Sequence, residues 1–560
     1  MRQRSWLRHS QHPLWPIVAA SLWMAVAANF SLWQKLGDLH FFDGLKGWLF
    51  IAGMGLMVAA ALVAVLSIFA WRWTLKPVLA LFLLVAAFGA YFMQTYSIVI
   101  DPTMLLNTLQ TDPREVRDLL SLKLAAWVVV LAALPIVLLW RWPVTYGRWP
   151  RRSLQNLVQV AGAVVLLVLV ALASFSPLAS TMRNHKEVRY LINPLNSLYA
   201  TGMVAVRPFR RDESVLLALG TDARVPPLPA GARPRLLLLV LGETGRYGNF
   251  GLNGYARDTT PELARQDVVS LNNAWSCGTS TAASVPCMFS NKGRDGYESR
   301  KQNAEGLLDV IQHAGMAVLW IDNQSGCKGV CDRVTSVSTT SLSDPAFCTH
   351  GECFDAVMLK GLDERIAALP EARRAKGVVV VLHQMGSHGP AYYLRSPQAF
   401  KRYLPECRSN DLQSCSRQEL LNAYDNTIAY TDHFLASTIE WLKTRQTQYD
   451  PAMLYVADHG ESLGENNLYL HGMPYLLAPD FQKHVPWITW LSEPFTSHTK
   501  ADMGCLKREV DKPVSHDNYF HSVLGLLGIE SQVYNNAMDI YAPCRPTSGV
   551  ATKGSQPATP

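Results

Sequence analysis

Four short apolar runs in the second half of the chain each end in groups that can do chemistry. Gly242-Glu243-Thr244 follows Leu236 to Leu241, and Asp322-Asn323 follows Ala317 to Ile321. His383-Gln384-Met385-Gly386-Ser387-His388-Gly389 follows Val378 to Leu382, and Asp458-His459-Gly460-Glu461 follows Met453 to Ala457. Glu243, Asp458 and His459 supply two carboxylates and an imidazole, a donor set that suits zinc with a position left open for substrate. His383, His388 and His471 are further candidates. Any one of these alone reads more readily as a hydrogen-bonded histidine or a helix-capping acid. Three strand-end sites together favour a metal, because buried charges without a metal or partner are costly.

A catalytic site also needs a nucleophile. The stretch from Ser276 to Cys287 is dense in hydroxyls and small residues, and a helix is expected to open within it. A hydroxyl at a helix N-terminus can meet a phosphate held by backbone N–H groups, and metal coordination would activate it by lowering its pKa. A Ser/Thr-rich helix cap explains the composition equally well, and composition does not choose among Ser276, Thr279, Ser280, Thr281 and Ser284.

The elements that must position these groups follow from the pattern. The bounded runs of Val, Ile and Leu have strand length, and runs apolar throughout read as parallel strands covered on both faces by helices. An α/β domain over 234–545 is expected, with ligands bound beyond the carboxyl ends of the strands. A polar, flexible tail follows over 546–560.

The first half is of another kind. Hydrophobic residues make up 49% of the 560 residues and charged ones only 17%, against about 25% in an ordinary soluble domain. A disordered or collagen-like chain is excluded. Apolar stretches at about Pro13 to Trp33, Gly47 to Trp71, Pro77 to Val99, Leu122 to Trp140 and Leu157 to Phe175 each approach the ~20 residues needed to cross a bilayer. A five-helix transmembrane domain over 1–178 is expected, joined by a connector over 179–233. Arg2, Arg4 and Arg8, then Arg72 and Lys76, then Arg141, Arg148, Arg151 and Arg152 mark the cytoplasmic side. The N-terminus is therefore expected inside and everything after Phe175 outside. A cleaved signal peptide ending near Ala25-Val26-Ala27 would leave that side unchanged.

All ten cysteines lie between Cys277 and Cys544, which suits disulfides in an oxidising compartment. A net charge of +7 without a Lys/Arg block does not favour nucleic acid as a partner. The segment Asp101 to Lys123 reads as an amphipathic piece on the outer membrane face.

Gly242-Glu243-Thr244, Ser276-Cys277-Gly278-Thr279-Ser280-Thr281, Ser284-Val285-Pro286-Cys287-Met288-Phe289-Ser290, His383 to Pro390 and Asp458 to Glu465 resemble the lipid A phosphoethanolamine transferases. That family includes the mobile colistin-resistance enzymes and belongs to the alkaline phosphatase superfamily. The resemblance runs over essentially the whole chain. It implies that Thr281 is the nucleophile and that Glu243, Thr281, Asp458 and His459 hold zinc, with one ion or two bound. It implies that His388 and His471 help bind phosphate, a second zinc or a proton, and that His383 matches a position of less defined role. Asn107, Thr111 and Glu115 look like the family's membrane-surface segment that seats lipid, and Ser325 and Lys328 are candidates for the donor headgroup. Pairings Cys277–Cys287, Cys327–Cys331, Cys348–Cys353, Cys407–Cys415 and Cys505–Cys544 agree with the family, although spacing does not fix connectivity.

The reaction the resemblance implies is transfer of phosphoethanolamine from phosphatidylethanolamine to a lipid A phosphate through phosphothreonine, with release of diacylglycerol and resistance to polymyxins. A Gram-negative inner-membrane monomer with a periplasmic catalytic domain is the expected setting. The pattern departs at Arg246-Tyr247-Gly248-Asn249, where the family has Arg-Ala-x-Asn. Sulfatases share the superfamily fold but need Cys or Ser followed by x-Pro-x-Arg, and Ser284-Val285-Pro286-Cys287-Met288 ends in Met. The rival readings are transfer to a core sugar, phosphoglycerol transfer with manganese, and a non-catalytic envelope scaffold.

Overall fold

The computed structural model describes residues 11–545 apart from 40–43, 111–112, 186, 211, 229, 340–341, 343 and 350–351. Thr111 and the 546–560 tail lie outside the described residues, as do Arg2, Arg4 and Arg8 and the side chain of Glu115. The chain forms two compact units: Met1–Arg207 with Gly464–Leu477, and Pro208–Leu463 with Ala478–Pro560. The division thus falls within the stretch 179–233, and a short segment of the second half clusters with the first unit.

In the first unit, Gly44–Ile68, Leu75–Tyr96, Leu122–Arg141 and Trp149–Ala173 are long and apolar enough to cross a membrane. A fifth crossing requires Leu14–Ala27 and Phe30–Asp38, bent by 45°, to count as one span. The bend is built from asparagines. Asn29 Nδ2 donates to the carbonyls of Met24 and Asn193, at 2.8 and 2.6 Å, and Asn193 Nδ2 donates to those of Ala28 and Ala86, at 2.8 and 2.7 Å. Backbone groups freed at the break are thereby satisfied where lipid offers no partner. Trp149–Ala173 begins eight residues before Leu157, the expected start of the last span. The reason is Arg152, a cation inside the helix, which is buried and donates Nε to the carbonyl of Ala70 at 2.8 Å. Leu157, Val165, Leu169 and Leu172 remain exposed along this helix, a lipid-facing stripe. The amphipathic piece forms helices Pro102–Leu109, which carries Asn107, and Pro113–Leu119.

The second unit is built on a seven-stranded sheet of β1 (Arg235–Gly242), β2 (Val268–Ser270), β3 (Ala317–Asp322), β4 (Thr335–Ser338), β5 (Val378–His383), β6 (Asp450–Ala457) and β7 (Trp487–Leu491). The spatial order is β2-β7-β6-β1-β5-β3-β4. β6, β1, β5, β3 and β4 run parallel, and β7 pairs antiparallel with both β6 and β2. All of β3, β5 and β6 is buried, as a sheet covered on both faces requires. The 27-residue helix Arg417–Lys443 is capped by Ser416 and Glu419 acting reciprocally.

The strands run further than the apolar runs alone suggest. β1 extends to Gly242, β3 to Asp322 and β5 to His383, with His383 in register with both Leu241 and Asp322. The groups that can do chemistry therefore start on, or one residue beyond, backbone pinned by the ladder. All ten cysteines are paired, as Cys277–Cys287, Cys327–Cys331, Cys348–Cys353, Cys407–Cys415 and Cys505–Cys544.

Candidate metal and phosphoryl-transfer site

Glu243 follows β1, and Asp458 and His459 follow the adjacent β6, so neighbouring parallel strands deliver them to one edge. One ligand atom from each lies within 4.8 Å of the others, and all three residues are buried. Asp458 is oriented by its neighbours' backbone: its Oδ1 accepts from the N–H of Thr244 at 3.1 Å and of His459 at 2.8 Å. His459 Nδ1 meets the carbonyl of Gly460 at 2.8 Å. That contact makes Nδ1 the protonated nitrogen and directs Nε2 toward Glu243 and Asp458, at 3.5 and 3.4 Å. Thr244 holds a left-handed φ of 57°, uncommon for a β-branched residue, and its Oγ1 donates to Glu243 Oε1 at 2.7 Å.

Thr281 is the first residue of helix Thr281–Met288. Its Oγ1 lies 3.0 and 3.2 Å from the Glu243 carboxylate oxygens and 3.4 Å from His459 Nε2. Of the hydroxyls nearby, Ser276 donates to the Gly278 carbonyl at 2.6 Å and Ser284 accepts from the Gly278 N–H at 2.9 Å, whereas the Ser280 hydroxyl is buried without a hydrogen-bond partner among the described residues. Among the described hydrogen bonds, Thr281 alone of the five hydroxyls reaches the carboxylate, a choice that composition left open.

Charge explains what the cluster wants. Burial disfavours the charge on His459, yet Asp458 and the hydrogen-bonded Glu243 push its imidazole up to about 10. Burial also opposes the charge on Glu243, but His459 and His388 hold its carboxyl well below the usual range. Asp458 goes the other way, raised by burial and by the charge of Glu243. Such a concentration of negative potential favours a cation, and Asp458 Oδ2 is buried and accepts no hydrogen bond from the described residues, with His459 Nε2 3.4 Å away. Two carboxylates, an imidazole and a hydroxyl match the donors zinc takes. Glu243, Asp458, His459 and Thr281 therefore fit a zinc ion.

The other predicted residues are placed unevenly. His383 is fully buried, its Nδ1 3.0 Å from Asp322 Oδ2, which also accepts from Trp320 Nε1 at 2.9 Å. Burial disfavours charge on both, but each stabilises the other, raising the imidazole and lowering Asp322 to about 2. His388 is buried on the loop after β5, its carbonyl accepting from Arg395 Nε at 2.8 Å. Ser325 and Lys328 meet through Oγ and Nζ at 3.0 Å, Lys328 inside the loop closed by Cys327–Cys331 and Ser325 just before it. His471, like Asn107, belongs to the first unit rather than to the unit that holds the cluster.

Several residues with clear structural roles went unassigned in the sequence. Gln324 Nε2 donates to Glu243 Oε2 at 3.0 Å. Asp355 accepts from Asn323, Gln384 and the N–H groups of Met385 and Gly386, at 2.8 to 3.2 Å, organising the loop that carries His388. His516 accepts from the Cys277 N–H through Nδ1 at 3.1 Å and donates through Nε2 to the Ala457 carbonyl at 3.0 Å. It thus joins the nucleophile loop to the strand before Asp458. No local pattern marks these residues, because their partners are 29 to 239 positions away.

Residues 235–529 match the sulfatase family model, and residues 58–209 match that of the phosphoethanolamine transferases EptA and EptB. The chain is 39% identical over 554 residues to phosphoethanolamine transferase EptA of Escherichia coli K12, covering 98% of this chain and all of that one. It is 36% identical over 534 residues to the phosphatidylethanolamine transferase Mcr-1 of Escherichia coli, covering 94% and 96% of the two chains. The solved integral-membrane lipooligosaccharide phosphoethanolamine transferase A of Neisseria meningitidis superposes with a TM-score of 0.89 at 37% identity, over 95% of this chain and 98% of that one. Fold, cluster and near full-length likeness agree, and the chain belongs to the phosphoethanolamine transferase family, a membrane-embedded branch of the alkaline phosphatase superfamily.

Proposed function

We propose that this protein transfers phosphoethanolamine from phosphatidylethanolamine to a phosphate of lipid A, with Thr281 as the covalent carrier. The observation that carries this reading is the approach of Thr281 Oγ1 to both oxygens of Glu243, at 3.0 and 3.2 Å, at the start of a helix. Glu243, Thr281, Asp458 and His459 would hold zinc, which when bound supplies Lewis-acid stabilisation of phosphoryl charge and lowers the hydroxyl pKa. Glu243 accepts the threonine hydrogen bond and aligns the oxygen for attack on phosphorus. The new Oγ–P bond forms as the bond from phosphorus to the glycerol oxygen breaks, and diacylglycerol leaves with a proton. A lipid A phosphate oxygen then attacks the same phosphorus and frees Thr281. The N–H groups at the helix start suit the phosphate's charge. We assign His388 and His471 to the phosphate or the leaving-group proton, and His383, Ser325, Lys328, Asn107, Thr111 and Glu115 to lipid or headgroup contacts.

A lipid donor and a lipid acceptor explain why the catalytic domain is tethered, with the N-terminus cytoplasmic and the catalytic domain periplasmic. Each added amine offsets phosphate charge and weakens attraction of cationic polymyxins. Mass spectrometry of lipid A from a sensitive Gram-negative host tests the reading. A phosphoethanolamine adduct is expected with the parent and none with Thr281→Ala. An adduct with the variant removes Thr281 as carrier, and no adduct from well-expressed parent removes lipid A as acceptor.

A further inference from the structure

Outside the proposed ligand set, three rings from distant parts of the chain form one stack. His484 lies between Tyr247 and Trp275, with ring centroids 3.9 and 4.9 Å away and planes within 14° and 12° of parallel. Tyr247 is four residues past Glu243, on the loop leaving β1, and Trp275 is six residues before Thr281. His484 closes the segment that backs the metal loop. There the carbonyls of Gln482 and Phe481 accept from the N–H groups of Gly460 and Glu461, at 3.0 and 2.9 Å. Each ring therefore belongs to a different segment among those delivering Glu243, Thr281, and Asp458 with His459.

The stack is anchored by hydrogen bonds. His484 Nε2 donates to the Asn272 carbonyl at 2.9 Å, Trp275 Nε1 to Asn273 Oδ1 at 2.6 Å, and the Tyr247 hydroxyl to Asn272 Oδ1 at 3.2 Å. Backbone bonds from Tyr247 N–H to the His484 carbonyl at 3.1 Å and from Ser276 N–H to the Lys483 carbonyl at 2.7 Å stitch the same segments. Burial lowers the His484 pKa, which favours a neutral ring.

We propose that the Tyr247–His484–Trp275 stack is a positioning device for phosphoryl transfer, setting the distance between the Thr281 helix and the Asp458–His459 loop. It rests on the assignment of those residues above. A misplacement of about 1 Å at such a site can cost about 100-fold in rate, so ring contacts distant from the chemistry matter.

The test uses the full-length protein in detergent with zinc, and with phosphatidylethanolamine as donor and lipid A as acceptor in mixed micelles. His484→Ala is expected to lower kcat about tenfold with KM nearly unchanged, and His484→Phe, which keeps a ring, to restore most of it. Tyr247→Ala is expected to fall between them and Tyr247→Phe to match the parent. Hydrogen–deuterium exchange on chelator-treated protein is expected to quicken over 276–282 and 458–463 in the alanine variants only. Parent-like kcat and exchange in His484→Ala, or a phenylalanine variant as impaired as the alanine one, overturns the proposal. If His484→Ala does not fold, the half-buried Tyr247 pair carries the same comparison. A parent that transfers nothing refutes the proposed reaction, whereas exchange without zinc still decides whether the stack holds the segments together.

Discussion

At the scale of single residues, the cluster depends on groups that touch no phosphate. His516 offers Nδ1 as acceptor and Nε2–H as donor at once, which only the neutral imidazole can do. Burial is the chief cause of a pKa lowered to about 3. Its unfolded value is about 6.5, so between those two limits the unfolded chain binds a proton that the folded one excludes. Stability is therefore complete above about pH 6.5 and falls by about 1.4 kcal/mol per pH unit below it, down to about pH 3. His516→Leu is expected to melt lower than the parent at pH 7.5 and to lose less on acidification to pH 5, a difference of about one proton. Parallel melting curves across that range would remove His516 as the source. Asp355→Asn tests the other organiser. An amide replaces a carboxylate oxygen where two backbone N–H groups need acceptors, at an expected cost of about 2 to 4 kcal/mol, read by urea unfolding.

At the scale of elements, two glycines show how closely the site loops pack. A Cβ on Gly460 would sit 2.1 Å from the Phe481 carbonyl, and one on Gly386, already at φ 52°, would sit 2.7 Å from that of Glu243. Gly460→Ala must push the metal loop off its backing segment. At least tenfold loss of transfer is expected, with the disulfides intact by mass analysis; normal activity would mean the loop has slack. In the membrane unit, Pro135 has no N–H for the Leu131 carbonyl, and the helix passes through a π turn at Val129–Ala133. Trp23 Nε1 donates to that carbonyl at 3.1 Å. Trp23→Phe is expected to cost about 0.6 to 2 kcal/mol, the range of hydrogen bonds within membranes. An unchanged melting midpoint in detergent would show the carbonyl satisfied otherwise.

At the scale of the whole molecule, the two units answer different solvents. The sheet unit buries β1, β3, β5 and β6 and closes five disulfides, whereas the helical unit leaves Leu, Val and Trp exposed as lipid-facing surface. Metal binding is expected to stabilise the sheet unit specifically. Free zinc at about 1,000 times its dissociation constant adds about 4 kcal/mol, so chelation should lower the melting midpoint and zinc should restore it. Asp458→Asn should abolish that response, and a zinc-independent midpoint in the parent would exclude the cluster as a zinc site.

Much of this was legible in the residues themselves. The parallel strands could be read because a core strand covered on both faces must be apolar along its length. Their chemistry-bearing ends could be read because a strand pattern stops where polar groups begin. The apolar stretches of the first half were equally plain, since a bilayer demands about 20 uninterrupted residues. The 45° bend at Asn29 and the early start of Trp149–Ala173 were not, because Asn193 and the Ala70 carbonyl that settle them are 164 and 82 residues away. Tertiary structure likewise decided which of five hydroxyls meets Glu243 and which histidines join the cluster. It also decided that Asp355, Gln324, His516 and His484 brace the site. Local composition records what an element must bury, but a hydrogen bond or ring contact between distant segments exists only once the chain has brought them together.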